Sequence, residues 1–228
     1  MVGAIAMTEP SGGSDLQSIK TTAVRDGDDY ILNGSKVFIS SGWNADVVLV
    51  VAVTDREVEK AAYGISIFLV DTNLPGFKKG KLLKKIGMHS QDTAELFFDD
   101  VRLPASAVLG GEEGLNRGFQ FLMHDLGRER LVIAVAASAG MEMAYELTRD
   151  YIKERHGKCW TIISSLLYNT YMYIAFGKTL SGMQQVRHTM AEIKTDIALS
   201  RVLTDKLIEA YANDDMDQQT VSMAKVCT

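Results

Sequence analysis

Three groups of residues have the types and spacing for chemistry. The first is the run Ile5-Ala6-Met7-Thr8-Glu9-Pro10-Ser11-Gly12-Gly13-Ser14-Asp15. An apolar approach of strand type runs into Thr8, and Pro10 biases Glu9 towards an extended backbone. Gly12 and Gly13 free the chain to take positive φ and to present its N–H groups. Such a turn can hold a polar planar ring or a phosphate against the main chain. On residue types alone it is also an ordinary Ser/Gly connection between two strands. The second group is Phe38-Ile39-Ser40. Residues two apart on a strand share a face, so a ring and a hydroxyl would point the same way, as they also would in a strand with a core Phe. The third is Arg128-Glu129-Arg130-Leu131, ahead of an apolar stretch. Flanking arginines and a helix N-terminus favour the charged carboxylate, a candidate proton acceptor. The same triplet also suits a solvated helix start with capping charges.

These groups need elements to position them. Residues 1–106 read as β structure. Residues 21–24 form a short extended run that ends at Asp26-Gly27-Asp28-Asp29, and Tyr30-Ile31-Leu32 meets Asn33-Gly34, a strong hairpin signal with residues 35–40 as the return strand. Residues 46–54, 64–71 and 94–101 are further β-branched or apolar runs. Many short strands between turn signals predict a barrel or sandwich. The pattern changes after Gly110-Gly111. Helical material begins at residues 119–126, and residues 131–145 are apolar nearly all round, as in a helix buried in a bundle. A second long helix is written in Val186, Met190, Ile193, Ile197, Thr204, Leu207 and Tyr211, is broken at Asn213-Asp214-Asp215, and is followed by a third from Gln218. The class is α+β, with domains at 1–106 and 107–228. Gly110 to Gly118 is glycine-rich, but no strand–turn–helix fingerprint surrounds it.

Composition excludes several functions. A net charge of −5 argues against nucleic acid as a partner. Two cysteines imply no disulfide framework, and His89, His124, His156 and His188 fall in no metal-ligand spacing. Residues 159–176 carry no charge, but Thr161, Ser164, Ser165, Asn169 and Thr170 dilute them, so no membrane span is expected. No transit or signal segment is visible at the start.

The order Thr-Glu-Pro-x-x-Gly-Ser-Asp at residues 8–15, followed in order by the other segments, resembles the acyl-CoA dehydrogenase family, nearest its mitochondrial long-chain branch. The resemblance covers nearly the whole chain. It implies a middle β-barrel domain that binds flavin and acyl-CoA, followed by an incomplete C-terminal helical bundle, with a helical domain ahead and further helices behind that are not among these residues. It also implies an interruption. The family runs an Arg-Lys pair directly into Ala-Phe-Gly-Lys, whereas here Arg155-His156 and Ala175-Phe176-Gly177-Lys178 stand apart. Residues 157–174 are therefore expected to be an insertion, either lineage-specific or a short retained intron.

The resemblance implies FAD as cofactor, an acyl-CoA substrate, electron-transfer flavoprotein as oxidant, a homotetramer and the mitochondrial matrix. It places the flavin against Ile5, Ala6, Met7, Thr8, Glu9, Pro10, Ser11, Gly12, Gly13 and Ser14, with Ser14 also facing substrate. Ser11 stands where the family has glycine, which requires negative φ there. Phe38 would pack on the ring, with Ile39 beside it and Ser40 near N5. Arg155 and Gln184 would reach a neighbouring subunit's FAD. Ala62 and Tyr63 match CoA contacts. Gln120 replaces an aromatic in the acyl pocket, and Gly127, Arg128 and Arg130 lie beside the substrate. Glu129 matches the Glu-Arg-Leu base of the long-chain and isovaleryl branches, at the start of a buried helix, where a bound acyl chain would raise its pKa by desolvation. The alternatives are a non-catalytic fragment of such an enzyme and a flavin-dependent oxidase on the same scaffold.

Overall fold

A computed structural model describes residues 1–158 and 174–228. The chain divides into two compact units, Met1–His124 and Asp125–Thr228.

The first unit is one seven-stranded sheet: β1 (Gly3–Ala6), β2 (Thr22–Asp26), β3 (Asp29–Ser40), β4 (Val47–Val53), β5 (Ile65–Asp71), β6 (Phe77–Leu82) and β7 (Thr93–Pro104). β4 carries β5 antiparallel on one side. On the other side lie β1, parallel, and then the start of β2. The ladder continues β2–β3–β7–β6, all antiparallel. Side chains from β1, β2, β3, β4, β5 and β7 meet in one buried cluster that includes Ala6, Leu32, Val50, Phe68, Leu96 and Val101. The sheet therefore curls over its own core. Among the described residues no ladder joins β5 to β6, so the expected barrel is a half-barrel, open between them.

Two expectations are corrected here. Asn33-Gly34 makes no hairpin. β3 runs straight through it, with a shift of register against β7 between Leu32 and Gly34. The Asn33 Nδ2 donates to Asp100 Oδ1 at 2.9 Å, and Asp100 N donates back to Asn33 Oδ1 at 2.9 Å. Gly34, at φ 147°, lies so close to Thr21 that a Cβ would stand 2.4 Å from its hydroxyl. The two-residue turn is instead Gly27-Asp28, between the paired Asp26 and Asp29, with Gly27 at φ 63°. β6 was not expected at all. Lys78, Lys79, Lys81 and Gly80 mask it, as suits an edge strand that lysines protect from further pairing.

The helices are α1 (Gly118–Glu154), α2 (Gln184–Ala212) and α3 (Gln218–Cys227). α1 begins in the first unit and runs into the second. In the second unit Leu131 and Ala134 of α1 pack with Leu207 of α2 and with Val221 and Ala224 of α3. Asp217 caps α3 by accepting from Thr220 N at 2.7 Å. α2 ends at Asn213, with Asp214 left-handed at φ 57°, as the breaker residues imply. α1 departs from expectation in being only partly covered: Val132, Ile133, Val135, Met143 and Leu147 are exposed. By length and composition it is long and apolar enough to cross a bilayer.

β8 (His156–Lys158) and β9 (Ile174–Thr179) pair antiparallel, and Leu180 N donates to Arg155 O at 2.8 Å. The chain thus leaves Arg155 and returns beside it, as an inserted segment must. The expected insertion at 157–174 lies, over 159–173, outside the described residues.

Candidate functional site

Glu9 anchors the loop that follows β1. Its backbone exchanges hydrogen bonds with Gly12, N to O at 3.0 Å and back at 3.1 Å. Its carboxylate turns inward, accepting from Lys20 N (2.7 Å) and Thr21 N (3.0 Å) through different oxygens. Lys36 Nζ completes the set, 2.9 Å from Glu9 Oε1 and 3.0 Å from Met7 O. Both side chains are sealed from water, at 0 % exposure for Lys36 and 3 % for Glu9. Burial pushes the Glu9 carboxyl up, but the donors from Thr21, Lys20 and Lys36 outweigh it and hold the group below its ordinary value. Burial also lowers the Lys36 ammonium, against the pull of Glu9.

The loop that Glu9 closes is open to solvent: Pro10, Ser11, Gly13, Ser14 and Asp15 are exposed. Ser11 keeps the negative φ that its side chain requires, but neither Gly12 nor Gly13 takes the positive φ expected of it. A Cβ on Gly12 would find nothing nearer than 3.8 Å, and on Gly13 nothing nearer than 3.6 Å. Their missing side chains leave room against the main chain.

The same clamp reaches β3. Val37 N donates to Thr8 O at 2.9 Å. Just beyond, the register against β7 shifts between Lys36 and Ile39, and Phe38 sits in that bulge at φ 60°. A left-handed Phe is costly, yet the residue is 65 % exposed. Phe38 and Ser40 are both exposed, and Ile39 between them is buried. An aromatic ring held outward by a strained backbone, a hydroxyl two residues on and an open loop tied to both suit a planar polar cofactor. Ala6 and Ile39 are buried. Beyond Ser40, Ser41 N donates to Asp92 O, and a cavity of about 560 Å³ opens between Trp43, Lys84, Lys85, His89 and Asp92. Asp92 holds its wall by accepting from Trp43 N at 2.7 Å.

The remaining candidates divide between the units. Ala62 and Tyr63 sit in a helical turn, Ala61–Gly64, with Tyr63 exposed. Gln120, near the start of α1, accepts from Arg117 Nε at 3.3 Å. In the second unit Gly127 is buried because Gln218 of α3 lies where its Cβ would be, 2.5 Å away. Arg128 is exposed, 3.5 Å from Asp125, and Arg130 donates to Ser222 Oγ at 3.3 Å. Glu129 is exposed, eleven residues after Gly118. It is therefore not at a helix start, and the helix N-terminus does not act on it. Arg155 and Gln184 are exposed, the latter opening α2. Among the described residues, no group of three or more His, Cys, Asp or Glu could hold a metal.

Lys36 was missed by reasoning from the sequence. The available signal was a lysine at an inward position of an alternating strand, in phase with Tyr30 and Leu32.

The class this fold defines is a half-barrel sheet with an open Ser/Gly loop, followed in the chain by helices. Residues 4–101 match the acyl-CoA dehydrogenase middle domain, and residues 116–173 and 171–228 match the acyl-CoA dehydrogenase C-terminal domain. The chain belongs to the acyl-CoA dehydrogenase family, a family of flavoprotein oxidoreductases. It is 50% identical over 224 residues to the mitochondrial long-chain specific acyl-CoA dehydrogenase of Sus scrofa, which covers 98% of this chain and 47% of that protein. The structure is similar to that of an acyl-CoA dehydrogenase from Geobacillus kaustophilus, with a TM-score of 0.86 at 43% identity over 98% of this chain and 53% of that one. A glutaryl-CoA dehydrogenase from Mycobacterium smegmatis, solved in complex with FADH2, gives a TM-score of 0.81 at 30% identity over 98% of this chain and 50% of that one. The chain spans about half the length of the curated relatives it matches.

Proposed function

We propose that this chain carries the flavin-binding half of a mitochondrial matrix enzyme that introduces a trans α,β double bond into long-chain acyl-CoA thioesters. FAD, when bound, supplies the acceptor for the hydride leaving the β carbon. The observation that carries the reading is the exposed, left-handed Phe38, two residues before the exposed Ser40 and next to Val37, whose N–H bonds Thr8 O at the base of the open loop of residues 10–14. Main-chain groups of residues 5–14 and the Thr8 hydroxyl would hold the ring edge, Phe38 its face and Ser40 its N5 side. Arg155 and Gln184 would serve the FAD of a neighbouring subunit in a homotetramer. Ala62 and Tyr63 would meet CoA, Ser14 and Gln120 of the first unit are its candidates for substrate contact, and Gly127, Arg128 and Arg130 are those of the second.

Glu129 takes the α proton on its carboxylate. As an exposed group it becomes a useful base only when the acyl chain displaces water around it. Electrons would then pass to an electron-transfer flavoprotein.

The exposure of Glu129, with that of Val132, Ile133 and Met143 on the same helix, favours a second reading: a non-catalytic subunit that binds flavin or a partner without turnover. Anaerobic addition of a long-chain acyl-CoA to the flavin-loaded chain separates the two. Bleaching that Glu129→Gln abolishes supports the enzyme. A loaded chain that never bleaches supports the second reading.

A further inference from the structure

Lys36 is a fully buried lysine, with Glu9 and Thr21 buried beside it. Burying an ammonium and a carboxylate costs several kcal/mol per ion, and an apolar pair of similar volume is often no less stable. The Lys36–Glu9 pair is therefore weakly explained by stability, and its connections suggest another use. Lys36 bonds Met7 O as well as Glu9, and Val37 bonds Thr8 O, so three consecutive residues before the loop are fixed to two consecutive residues of β3. Those two residues directly precede the strained Phe38. The other Glu9 contacts grip Lys20 and Thr21 where the loop ends, and Thr21 O accepts in turn from Val53 N at 2.9 Å. One carboxylate thus ties together the two ends of the segment between β1 and β2, and one ammonium ties the start of that segment to β3, two residues before Phe38.

We propose that Lys36 and Glu9 are positioning residues for flavin recognition, holding the loop of residues 10–14 and the Phe38–Ser40 face at one fixed separation before the cofactor arrives. The role rests on the flavin reading above. The two side chains act by preorganising main-chain groups, which lowers the ordering cost of binding.

The test compares the full chain with Lys36→Met, Glu9→Gln and the double variant. Each single change leaves a buried polar group without its partner, whereas the double removes both charges. Four readouts are taken: thermal unfolding, amide hydrogen exchange without cofactor, FAD affinity by fluorescence titration, and the visible spectrum and midpoint potential of the bound flavin. The double variant is expected to melt near the parent. Its amides at residues 8–13 and 37–40 exchange faster, FAD binds about tenfold more weakly or worse, a loss the size of one supporting hydrogen bond, and the flavin spectrum and potential shift. A double variant that melts, exchanges and binds FAD like the parent overturns the positioning role and leaves the flavin reading standing. A parent chain that takes up no FAD overturns both. Should Lys36→Met fail to fold, Glu9→Gln, which keeps the shape of the clamp, decides by the same readouts.

Discussion

Phe38 keeps a left-handed backbone that glycine would adopt freely, and it gains little from packing because most of the residue meets solvent. Phe38→Gly is therefore expected to leave the melting temperature unchanged or raise stability by about 1 kcal/mol, the usual cost of a left-handed residue. The same variant should weaken FAD binding, and thermal unfolding with a flavin titration checks both. Glu9 makes a prediction about acid. Its folded carboxyl titrates below its ordinary value, so as pH falls the unfolded chain takes up the proton first. The stability it contributes is whole above the ordinary glutamate range and is lost as pH falls through its folded value. Melting temperatures measured from neutral to acid pH should therefore fall less steeply in Glu9→Gln than in the parent.

At the scale of elements, glycine and register decide more than propensity. Gly34→Ala would force a side chain into Thr21 at a φ of 147°, and a loss of about 2 kcal/mol or more is expected in denaturant unfolding. Asp217→Ala, which removes the cap of α3, should cost about 1 kcal/mol by the same measurement. Gly34 also shows where the sequence misleads. Asn-Gly carries a hairpin signal, but local turn chemistry cannot reveal that Asp100 and Thr21 arrive from elsewhere in the chain to turn it into a bulge. β4, β5 and β7 were legible because β-branched runs need no distant partner to be recognised, and α2 and α3 because their apolar residues recur at helical spacing. β6 was hidden by its lysines. Alternation in phase with Lys36 would turn Phe38 and Ser40 inward; the bulge between Lys36 and Ile39 breaks that phase and leaves both exposed, and it was not readable because it arises from pairing with β7. The clamp under the loop was half legible: Glu9 and Lys36 are visible as charges, but only the fold brings them to 2.9 Å.

For the whole molecule, the distribution of apolar surface matters most. α1 shows Val132, Ile133, Val135, Met143 and Leu147 to solvent, and α2 adds Leu199, Val202 and Ile208. Exposed apolar side chains of this kind mark surfaces that other protein covers. The family match over residues 116–173 takes in the whole of α1. Self-association of the purified chain, read by sedimentation and reduced by Val132→Glu with Leu147→Glu, is the expected outcome. The proposed reaction needs two things of this chain, a bound flavin and the carboxylate of Glu129. The most direct measurement is anaerobic absorbance of the FAD-loaded chain on addition of a long-chain acyl-CoA. Loss of the flavin band in the parent, with a rate cut by a factor of about a thousand or more in Glu129→Gln, is the predicted result for removal of the base. Equal bleaching in parent and variant would contradict the role given to Glu129, and a chain that binds FAD but shows no spectral response to any acyl-CoA would contradict the proposed reaction.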